Sequence, residues 1–559
     1  MRTTLSVPAV LSAILAVGCY HGTDRANQDG GATDDADDGP ASGSEAADES
    51  GDIPPGACAE TTLGVTPVRR LGATQYRNSV VDLFGITPPP VESLPSDAKF
   101  FDFRTTSNQL LSAGTATKYF DAAALVATAR ATATPEWFPC DEDGTCVDDY
   151  LQGEGRRIFR RPLTDDEITH YHGLFTARLE AGDTTPEAAS LLLQALLVSP
   201  HFLFLEQPVG EPGERVVLDD WQIAARLSYL VWASTPDDTL LDAAAAGELA
   251  TSEARAEHAR RLLEDPRAAA AVDDFFMQWL TTEDISDVVK DPIVYPEVVP
   301  ELTAALEEEA RLYFREVFWN RGGAVDELLI SPIRVRNQTL SAYYGDGLAT
   351  GSELTVVEGD IDEHSFGLLS QAGLLMSVSR SAPTQIIHRG KFIRNKLLCQ
   401  HITPPMAGTV PPLPEIDPLA TTRDQVMQHT AEPACAGCHR LLNPPGFALE
   451  HFDNIGRWRD DERGLEIDAS ADLEDLGIPG PIDGALAFSQ ALAESEAVES
   501  CAVAQMFEFA IGREPTDDDA CVTDDLFASF VQNDNDLQQL LIDIIASEAF
   551  GERVAPVEE

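Results

Sequence analysis

The 559-residue sequence predicts a mainly α-helical body made of several domains. Three observations lead to this prediction: helix start signals recur, apolar side chains follow them at helical spacing, and strand signals are few. No segment repeats at a fixed period, which argues against a solenoid or a propeller. The length is sufficient for about three to five domains or for one large multilayer body. The hydrophobic content of 43% is ordinary for a globular protein.

Helix start signals appear at four places along the chain. Such a signal places a capping side chain ahead of the first turn, with an acid or a proline inside it. The four are Thr164-x-x-Glu167, Thr185-Pro186-Glu187, Asp219 and Thr235-Pro236-Asp237-Asp238. Apolar stripes with helical spacing are Leu191, Leu192, Ala195 and Leu196; Trp221, Ala225, Ser228 and Trp232; and Leu302, Leu306, Ala310, Tyr313 and Val317. Ser199-Pro200 ends the first run, and Ile333-Arg334-Val335-Arg336 is the best strand signal.

One pentapeptide, Cys435-Ala436-Gly437-Cys438-His439, indicates the chemistry of the chain. Two thiols three residues apart, followed by a histidine, are the attachment pattern of c-type haem. On one turn of helix Cys435 and Cys438 point to the same side, so both sulfurs can reach the vinyl groups of one porphyrin. His439 then lies under the iron as the proximal ligand. We therefore expect one covalent haem c, bound by Cys435 and Cys438 and ligated by His439.

The same pentapeptide has three other interpretations: a structural disulfide, a zinc half-site or a thioredoxin-type redox pair. Zinc requires a second Cys/His pair at short spacing, and the sequence has none. A thioredoxin-type pair follows a strand of a βαβ unit, which the local pattern does not predict. No serine-nucleophile motif, phosphate-binding glycine loop or zinc-protease helix is present. The acidic run from Asp460 to Asp475 lacks the ligand order of an EF-hand, and calcium binding stays open.

Residues 1–19 have the pattern of a lipoprotein signal peptide. Arg2 precedes an apolar run from Leu5 to Val17 that is too short to span a bilayer. Cys19 then resembles the lipobox cysteine, although Ala16 stands where leucine is usual; the alternative is an ordinary signal peptide with a cysteine nearby. We expect lipidation of Cys19 and, because Tyr20 rather than aspartate follows it, anchoring at the outer membrane or cell surface of a Gram-negative bacterium.

Residues 20–57 carry almost no large apolar side chain and contain paired acids, so we expect a disordered, extended acidic linker. The whole chain has 94 acidic and 38 basic residues and a net charge of −56. This charge argues against binding to nucleic acid. The expected partners are a membrane, through the lipid anchor, and a redox partner protein.

Nine cysteines are present, and six remain after Cys19 and the haem pair. An even set of six suits an oxidising compartment. Cys140 and Cys146 flank a turn and could close a small loop. The other candidate pairs are Cys501 with Cys521 and, by elimination, Cys58 with Cys399. The sequence does not determine the pairing.

Longer motifs extend over nearly all of the chain after residue 60. They include Val68-Arg69-Arg70-Leu71 with Tyr76-Arg77-Asn78 and Asp82-Leu83-Phe84-Gly85; Phe159-Arg160-Arg161-Pro162; Ser199-Pro200-His201-Phe202; Ala225-Arg226-Leu227-Ser228-Tyr229; Arg389-Gly390-Lys391; Phe447, Trp458 and Arg459; and Phe507, Ala510, Gly512 and Arg513. In combination they resemble the exported cytochrome-like multidomain proteins first catalogued in planctomycetes and common in myxobacteria. These proteins are strings of domains of unknown function with one c-type haem motif.

This resemblance implies haem binding, export and surface attachment, and it implies no substrate. One departure is Asn443-Pro444, which stands where the family usually has Asp-Pro after the haem helix. We predict a mainly α, multi-domain helical body with a cytochrome c-like haem segment. Its parts are a signal peptide at 1–19, a linker at 20–57, an N-terminal helical domain at 58–135, a second helical domain at 136–210, a central helical domain at 211–350, a haem-binding domain at 360–465 and a C-terminal helical domain at 466–559.

The sixth iron ligand decides what the haem does. Met406 in a proline-rich turn, His429 before the motif, or an open position are the candidates, ahead of His388, His401 and His451. The predicted function is a surface-tethered c-type haem protein in extracytoplasmic redox chemistry, acting as a haem-dependent oxidoreductase. The alternatives are an electron-transfer cytochrome without its own substrate and a binding scaffold with structural haem. The length favours an enzyme, because a bare carrier needs only about one small domain.

Overall fold

The computed structural model confirms the mainly helical prediction. It describes residues 62–100, 102–104, 112–134, 136–140, 146–205, 210–379, 386–402, 417 and 419–555, all of which belong to one compact unit, residues 54–559. The predicted signal peptide and acidic linker, with Cys19, Cys58 and Met406, lie outside the described residues. No helix in the described part of the chain is long and apolar enough to cross a membrane.

Helices make up most of the described chain, with the strand pairs in the connections between them. Those before residue 265 are Ala73–Phe84, Ala113–Ala133, Val147–Tyr150, Arg156–Phe159, Asp165–Glu180, Thr185–Leu197, Pro200–Leu203, Asp220–Val231, Asp238–Ala246 and Ser252–Leu263. Those that follow are Ala268–Trp279, Pro300–Asn320, Val325–Leu329, Gln338–Tyr344, Ala372–Val378, Ile386–Phe392, Thr422–Thr430, Pro433–Phe447, Ala485–Ala493, Glu496–Ile511, Ala520–Gln532, Leu537–Ala546 and Glu548–Gly551. Two π-helical turns, Leu151–Gly155 and Ile393–Leu397, continue helices without a break.

The strands of the described residues form two-stranded antiparallel pairs. The pairs are Arg69–Arg70 with Phe204–Leu205, Lys99–Phe100 with Phe103–Arg104, Arg215–Val217 with Glu552–Val554, Ile333–Arg336 with Thr355–Glu358, Asp461–Glu462 with Leu465–Glu466, and Ser470–Asp472 with Pro481–Asp483. The predicted strand at Ile333–Arg336 is confirmed. Two of the pairs join segments more than 100 residues apart, and so they close the chain on itself.

The helix start signals are confirmed with small shifts. Thr164 and Asp219 are N-caps that accept the third backbone N–H, as the capping motifs predict. Thr184, not Thr185, caps the helix Thr185–Leu197, and Asp237, not Thr235, caps Asp238–Ala246. Both capping residues have an extended backbone. The Asp237 side chain accepts a free N–H of the first turn, and the Glu187 side chain accepts the N–H of Thr184.

Two large buried apolar clusters and a small third one hold the described helices together. One collects residues between 71 and 229 from the predicted N-terminal and second domains and from one central helix. The largest combines residues of the central, haem-binding and C-terminal segments with Leu63 and Phe103. Burial of apolar area is the main force that drives this packing. The third, Ile386, Val426 and Phe447, packs the helix that carries the pentapeptide against the helices Ile386–Phe392 and Thr422–Thr430.

The disulfides differ in part from the predicted pairing. Cys140 and Cys146 are bonded, as predicted. Cys399 pairs with Cys501, so the predicted Cys501–Cys521 pair is wrong, and so is the assignment of Cys399 to Cys58. Cys521 is also in a disulfide. Short sequence separation favoured the wrong pair, whereas the fold brings Cys399 and Cys501 to a Cα–Cα distance of 5.3 Å across 102 residues.

Candidate functional site

The pentapeptide lies in the first half of the helix Pro433–Phe447. Pro433 stands in its first turn, where a missing N–H costs nothing. Cys435 is half-buried and Cys438 is exposed, and both are free thiols. The other cysteines of the described residues are all disulfide-bonded: Cys140, Cys146, Cys399, Cys501 and Cys521. Cys435 and Cys438 are thus not part of any of these disulfides.

The helix presents the two thiols on one face. Residues three apart on a helix are neighbours on its surface. Cys438 is exposed and Cys435 is half-buried, and Gly437, which adjoins Cys438 in the chain, is exposed as well, with no atom within 4 Å of an added Cβ. This part of the helix therefore offers two neighbouring thiols that one planar group can reach from the solvent. The residues present fit a covalently bound porphyrin.

A chain of hydrogen bonds fixes the imidazole of His439. The Thr430 hydroxyl donates to the carbonyl of Val426 at 2.8 Å, so its oxygen accepts from Asn443 Nδ2 at 3.0 Å. The Asn443 Oδ1 atom consequently faces His439 Nδ1 at 3.3 Å and accepts a hydrogen bond from its N–H. The proton on Nδ1 leaves Nε2 with a lone pair, which is the form of histidine that ligates a metal.

Two glycines let the helix of the motif cross Ile386–Phe392 at very short distance. A Cβ on Gly390 would lie 1.7 Å from the carbonyl oxygen of Leu442. A Cβ on Gly446 would lie 2.0 Å from the carbonyl oxygen of Ile386. Real Cβ atoms do not approach oxygen so closely, so neither position accepts a side chain without separation of the helices.

Arg394 satisfies a carbonyl that a proline leaves free. Pro444 and Pro445 lie inside the helix Pro433–Phe447, and a proline has no N–H to donate to the carbonyl four residues earlier. For Pro445 that carbonyl is Leu441, which accepts a hydrogen bond of 2.6 Å from Arg394 Nε. Arg394 also pairs with Asp475, which holds it in place.

Arg389 binds the segment that follows the same helix. Its side chain is 1% exposed and donates to the carbonyls of Leu449 at 2.9 Å, Phe452 at 2.7 Å and Asp453 at 2.5 Å. Burial lowers the pKa of Arg389 to about 10, so it remains charged at neutral pH. A cation beside carbonyls at a helix C-terminus is stabilised by the helix dipole.

One candidate sixth ligand, His429, interacts with the histidine of the motif in the described structure. It occupies the last turn of Thr422–Thr430, is half-buried, and interacts electrostatically with His439. Burial, and then the charge of His439, lower the pKa of His429. His451 stacks on Trp458 at 4.5 Å, and His401 is exposed. The chain brings His429 close to the motif, while the stacking of His451 occupies one face of its ring.

The Arg459 and Trp458 side chains are engaged within the protein. Arg459 Nη2 donates to the carbonyl of Glu450 at 3.0 Å, and Trp458 Nε1 donates to Asp460 at 3.0 Å. Both side chains therefore have their polar groups bound within the protein.

Sequence reasoning missed three supports of the site. These are Thr430, Arg394 and Arg389, of which only Arg389 belongs to a motif of the sequence. The presence of Pro445 is a signal that some donor must bind the Leu441 carbonyl. Nothing in the sequence identifies which side chain that donor is.

Lys396 connects the site to the C-terminal helices. It lies two residues after Arg394 and forms an ion pair with Asp102. The Asp102 N–H in turn donates to Glu508 Oε1 at 3.4 Å. Burial, and then the negative charge of Asp102, raise the pKa of Glu508 to about 8. Glu508 is thus a buried acid that is neutral at pH 7. It lies at the junction between the segment behind the motif helix and the C-terminal helices.

The fold and the motif define a mainly helical, multidomain protein that presents a thiol–thiol–histidine motif on an open helix face. Five families, each described as a protein of unknown function, match it in tandem: DUF1587 at residues 69–132, DUF1595 at 146–206, DUF1592 at 218–345, DUF1588 at 366–462 and DUF1585 at 480–550. The chain thus carries the five-domain signature of the planctomycete-type cytochrome-like multidomain family. The motif helix lies in the DUF1588 match. None of the curated proteins and none of the solved structures compared with the chain matches it.

The raised pKa of Glu508 predicts a loss of stability with rising pH. The pKa of about 8 in the folded state exceeds the ordinary 4.5. Between pH 4.5 and pH 8 the folded state therefore keeps a proton on Glu508 that the unfolded state has lost. The free energy of unfolding should fall between pH 4.5 and pH 8, by at most about 1.4 kcal/mol per pH unit from this group.

Urea unfolding of Glu508→Gln at several pH values measures this effect. The free energy of unfolding of Glu508→Gln should decline less with rising pH than that of the wild type. Glu496→Gln, at an exposed position on the same helix, should decline as the wild type does. An equal decline in all three proteins would contradict the assignment.

Proposed function

We propose that the protein is a c-type haem protein that takes part in redox chemistry outside the cytoplasm, tethered to a membrane through a lipid on Cys19. In this proposal haem is bound covalently by Cys435 and Cys438, and His439 is an axial ligand. The observation that carries the proposal is the pair of free thiols on one open helix face, next to a histidine whose Nε2 is left available. A haem bound there supplies an iron that accepts and releases single electrons.

Asn443 and Thr430 position His439 for this role. Because Asn443 accepts a hydrogen bond from the Nδ1–H group, the imidazole keeps one tautomer and one ring orientation. Asn443 is neutral, whereas an aspartate would draw the Nδ1 proton more strongly and place more negative charge on the ring. Less charge on the ligand favours the reduced form of a metal, so this residue raises the reduction potential relative to an aspartate.

The most specific form of the proposal is an oxidoreductase with its own substrate. The support for it is the size of the body around the motif: segments from 62 to 555 pack into one unit, far more than a carrier needs. The glycine crossing and the buried arginines hold the motif helix rigidly against this body. Rigid support of a reactive group is what a catalytic site requires.

Electron transfer to a partner protein is the second candidate. The observation in its favour is the exposure of Cys438, since the attached group would lie at the molecular surface. An acidic surface, with a net charge of −56 for the chain, favours encounter with a basic partner. Exchange of single electrons between proteins needs such an exposed edge.

Covalent attachment is tested by the loss of one thiol. Cys438→Ala, made in a host with cytochrome c maturation enzymes, should lose covalent haem staining in denaturing gels and the added haem mass. Cys140→Ala removes a disulfide elsewhere and should retain both signals. Full staining of Cys438→Ala, or a wild-type protein at bare polypeptide mass, would refute the attachment.

The role of Asn443 is tested by potentiometric titration. Asn443→Asp should have a lower reduction potential than the wild type, with haem content unchanged. Asn454→Asp adds the same charge in the same segment, at a side chain that donates to Tyr295, and should shift the potential less. Equal shifts in both variants would show that the effect is one of net charge and not of the bond to His439.

The two candidate functions differ in how the reduced protein reacts with small ligands. An oxidoreductase with an open position should bind CO, seen as a shift of the reduced spectrum, and should react rapidly with peroxide. A six-coordinate carrier should do neither. The spectrum of His429→Ala then tells whether this histidine fills the sixth position, because its loss should make an inert iron reactive to CO.

A further inference from the structure

A cavity of about 470 Å³ has Glu508 among its lining residues and none of the motif helix. Its lining comes from four of the five matched families, namely from residues 69–104, 205, 229–311 and 508–513. None of its described lining residues belongs to the DUF1588 match that carries the pentapeptide. The volume lies in the range of small-molecule sites, about 300 to 1,000 Å³.

One end of this cavity carries an arginine without a counter-charge. The side chain of Arg69 has no hydrogen-bond or ion-pair partner among the residues that the structure describes. It packs over Gly512, where a Cβ would lie 2.6 Å from Arg69 Nη1. Burial lowers the pKa of Arg69 to about 10, so it remains a cation at neutral pH.

A second buried arginine adds to the excess positive charge behind Arg69. Arg226 is 4% exposed; its Nη1 donates to the carbonyl of Phe550 at 2.8 Å, while Nε and Nη2 have no hydrogen-bond partner among the residues that the structure describes. Burial, and then the charges of Arg69, Arg513 and Arg255, lower the pKa of Arg226. Buried cations without an anion are costly, and in a chain of net charge −56 such a group is unusual.

The acids of the cavity do not neutralise Arg69, because most of them already have partners. The pairs are Arg70 with Asp97 at 3.4 Å, Arg104 with Glu283 at 2.7 Å, and Arg315 with Asp273 at 2.5 Å. Arg513, next to Gly512, is held by Asp519 at 2.6 Å.

Two acids of the lining remain, Asp274 and Glu508. Burial raises the pKa of Asp274 to about 6, and the cations that act on it are Arg104 and Arg311. Burial, and then the negative charge of Asp102, raise the pKa of Glu508 to about 8. Neither acid acts on Arg69, whose pKa is shifted by burial alone.

One part of the remaining wall is apolar. Phe103 and Phe509 lie with ring centroids 5.3 Å apart, and Leu205, Leu230 and Met277 continue the same surface. Aromatic rings in this arrangement offer a large apolar surface for a flat or extended hydrocarbon body. The cavity thus combines a cationic end with an apolar wall.

We propose that this cavity binds a small monocarboxylate, with its carboxylate on Arg69 and its apolar body against Phe103 and Phe509. A guanidinium forms two parallel hydrogen bonds with a carboxylate, which would supply the missing anion. Binding at this site goes beyond the redox function proposed above, and it does not depend on the attachment of haem.

Calorimetric titration of the full-length protein with 4-phenylbutyrate and with its uncharged amide tests the proposal. The acid should bind at one site and at least tenfold more tightly than the amide. Arg69→Gln should remove this preference, while Arg260→Gln, at an exposed arginine of the helix Ser252–Leu263, should retain it. Equal affinity for acid and amide, or no binding of either, would overturn the proposal.

A second pair of variants covers the case that Arg69→Gln misfolds. Gly512→Ala places a Cβ against Arg69 at a position with φ of 82°. Gly477→Ala has the same backbone cost at φ of 74°, but nothing lies within 4 Å of its Cβ. Gly512→Ala should weaken binding of the acid at least tenfold, and Gly477→Ala should not. Equal affinity in these two variants would place the carboxylate away from Arg69.

Discussion

The close crossing of two helices at Gly390 and Gly446 is the constraint on which the candidate site depends. Each glycine faces a backbone carbonyl of the opposite helix at a distance that no Cβ can occupy. With the backbones in contact, Arg389 and Arg394 reach carbonyls of the motif helix and of the segment after it. A larger residue at either glycine would push the helices apart and remove both sets of hydrogen bonds at once.

Buried arginines serve as main-chain donors throughout this molecule. Arg160 donates to the carbonyl of Phe202 at 3.1 Å, and Arg255 donates to those of Ile545 at 3.0 Å and Ala546 at 2.7 Å. A guanidinium has five N–H groups in a fixed plane, so one side chain can satisfy several carbonyls that a helix end leaves free. Arg389 does the same behind the motif helix, which makes Arg69, with no such partner, an exception within the described chain.

The motif helix and the cavity are separate sites that share one junction. Lys396 and Asp102 connect the segment behind the motif to Glu508, which lines the cavity. The disulfide between Cys399 and Cys501 fixes the same segment to the helix Glu496–Ile511. One covalent bond and a chain of polar contacts therefore join the segment behind the motif to the helix that lines the cavity.

The sequence by itself determined the helical class, several helix starts and the identity of the three motif residues. These features depend on neighbours within about four residues: a cap and the N–H groups it meets, or two thiols and a histidine on one turn. Only the tertiary structure decided that Cys399 pairs with Cys501, that Thr430 and Asn443 orient His439, and that Arg69 lies over Gly512. The last of these contacts joins residues more than 400 positions apart. Such partners depend on how the helices pack. Local periodicity predicts which face of a helix is buried, but it does not predict which other element covers that face.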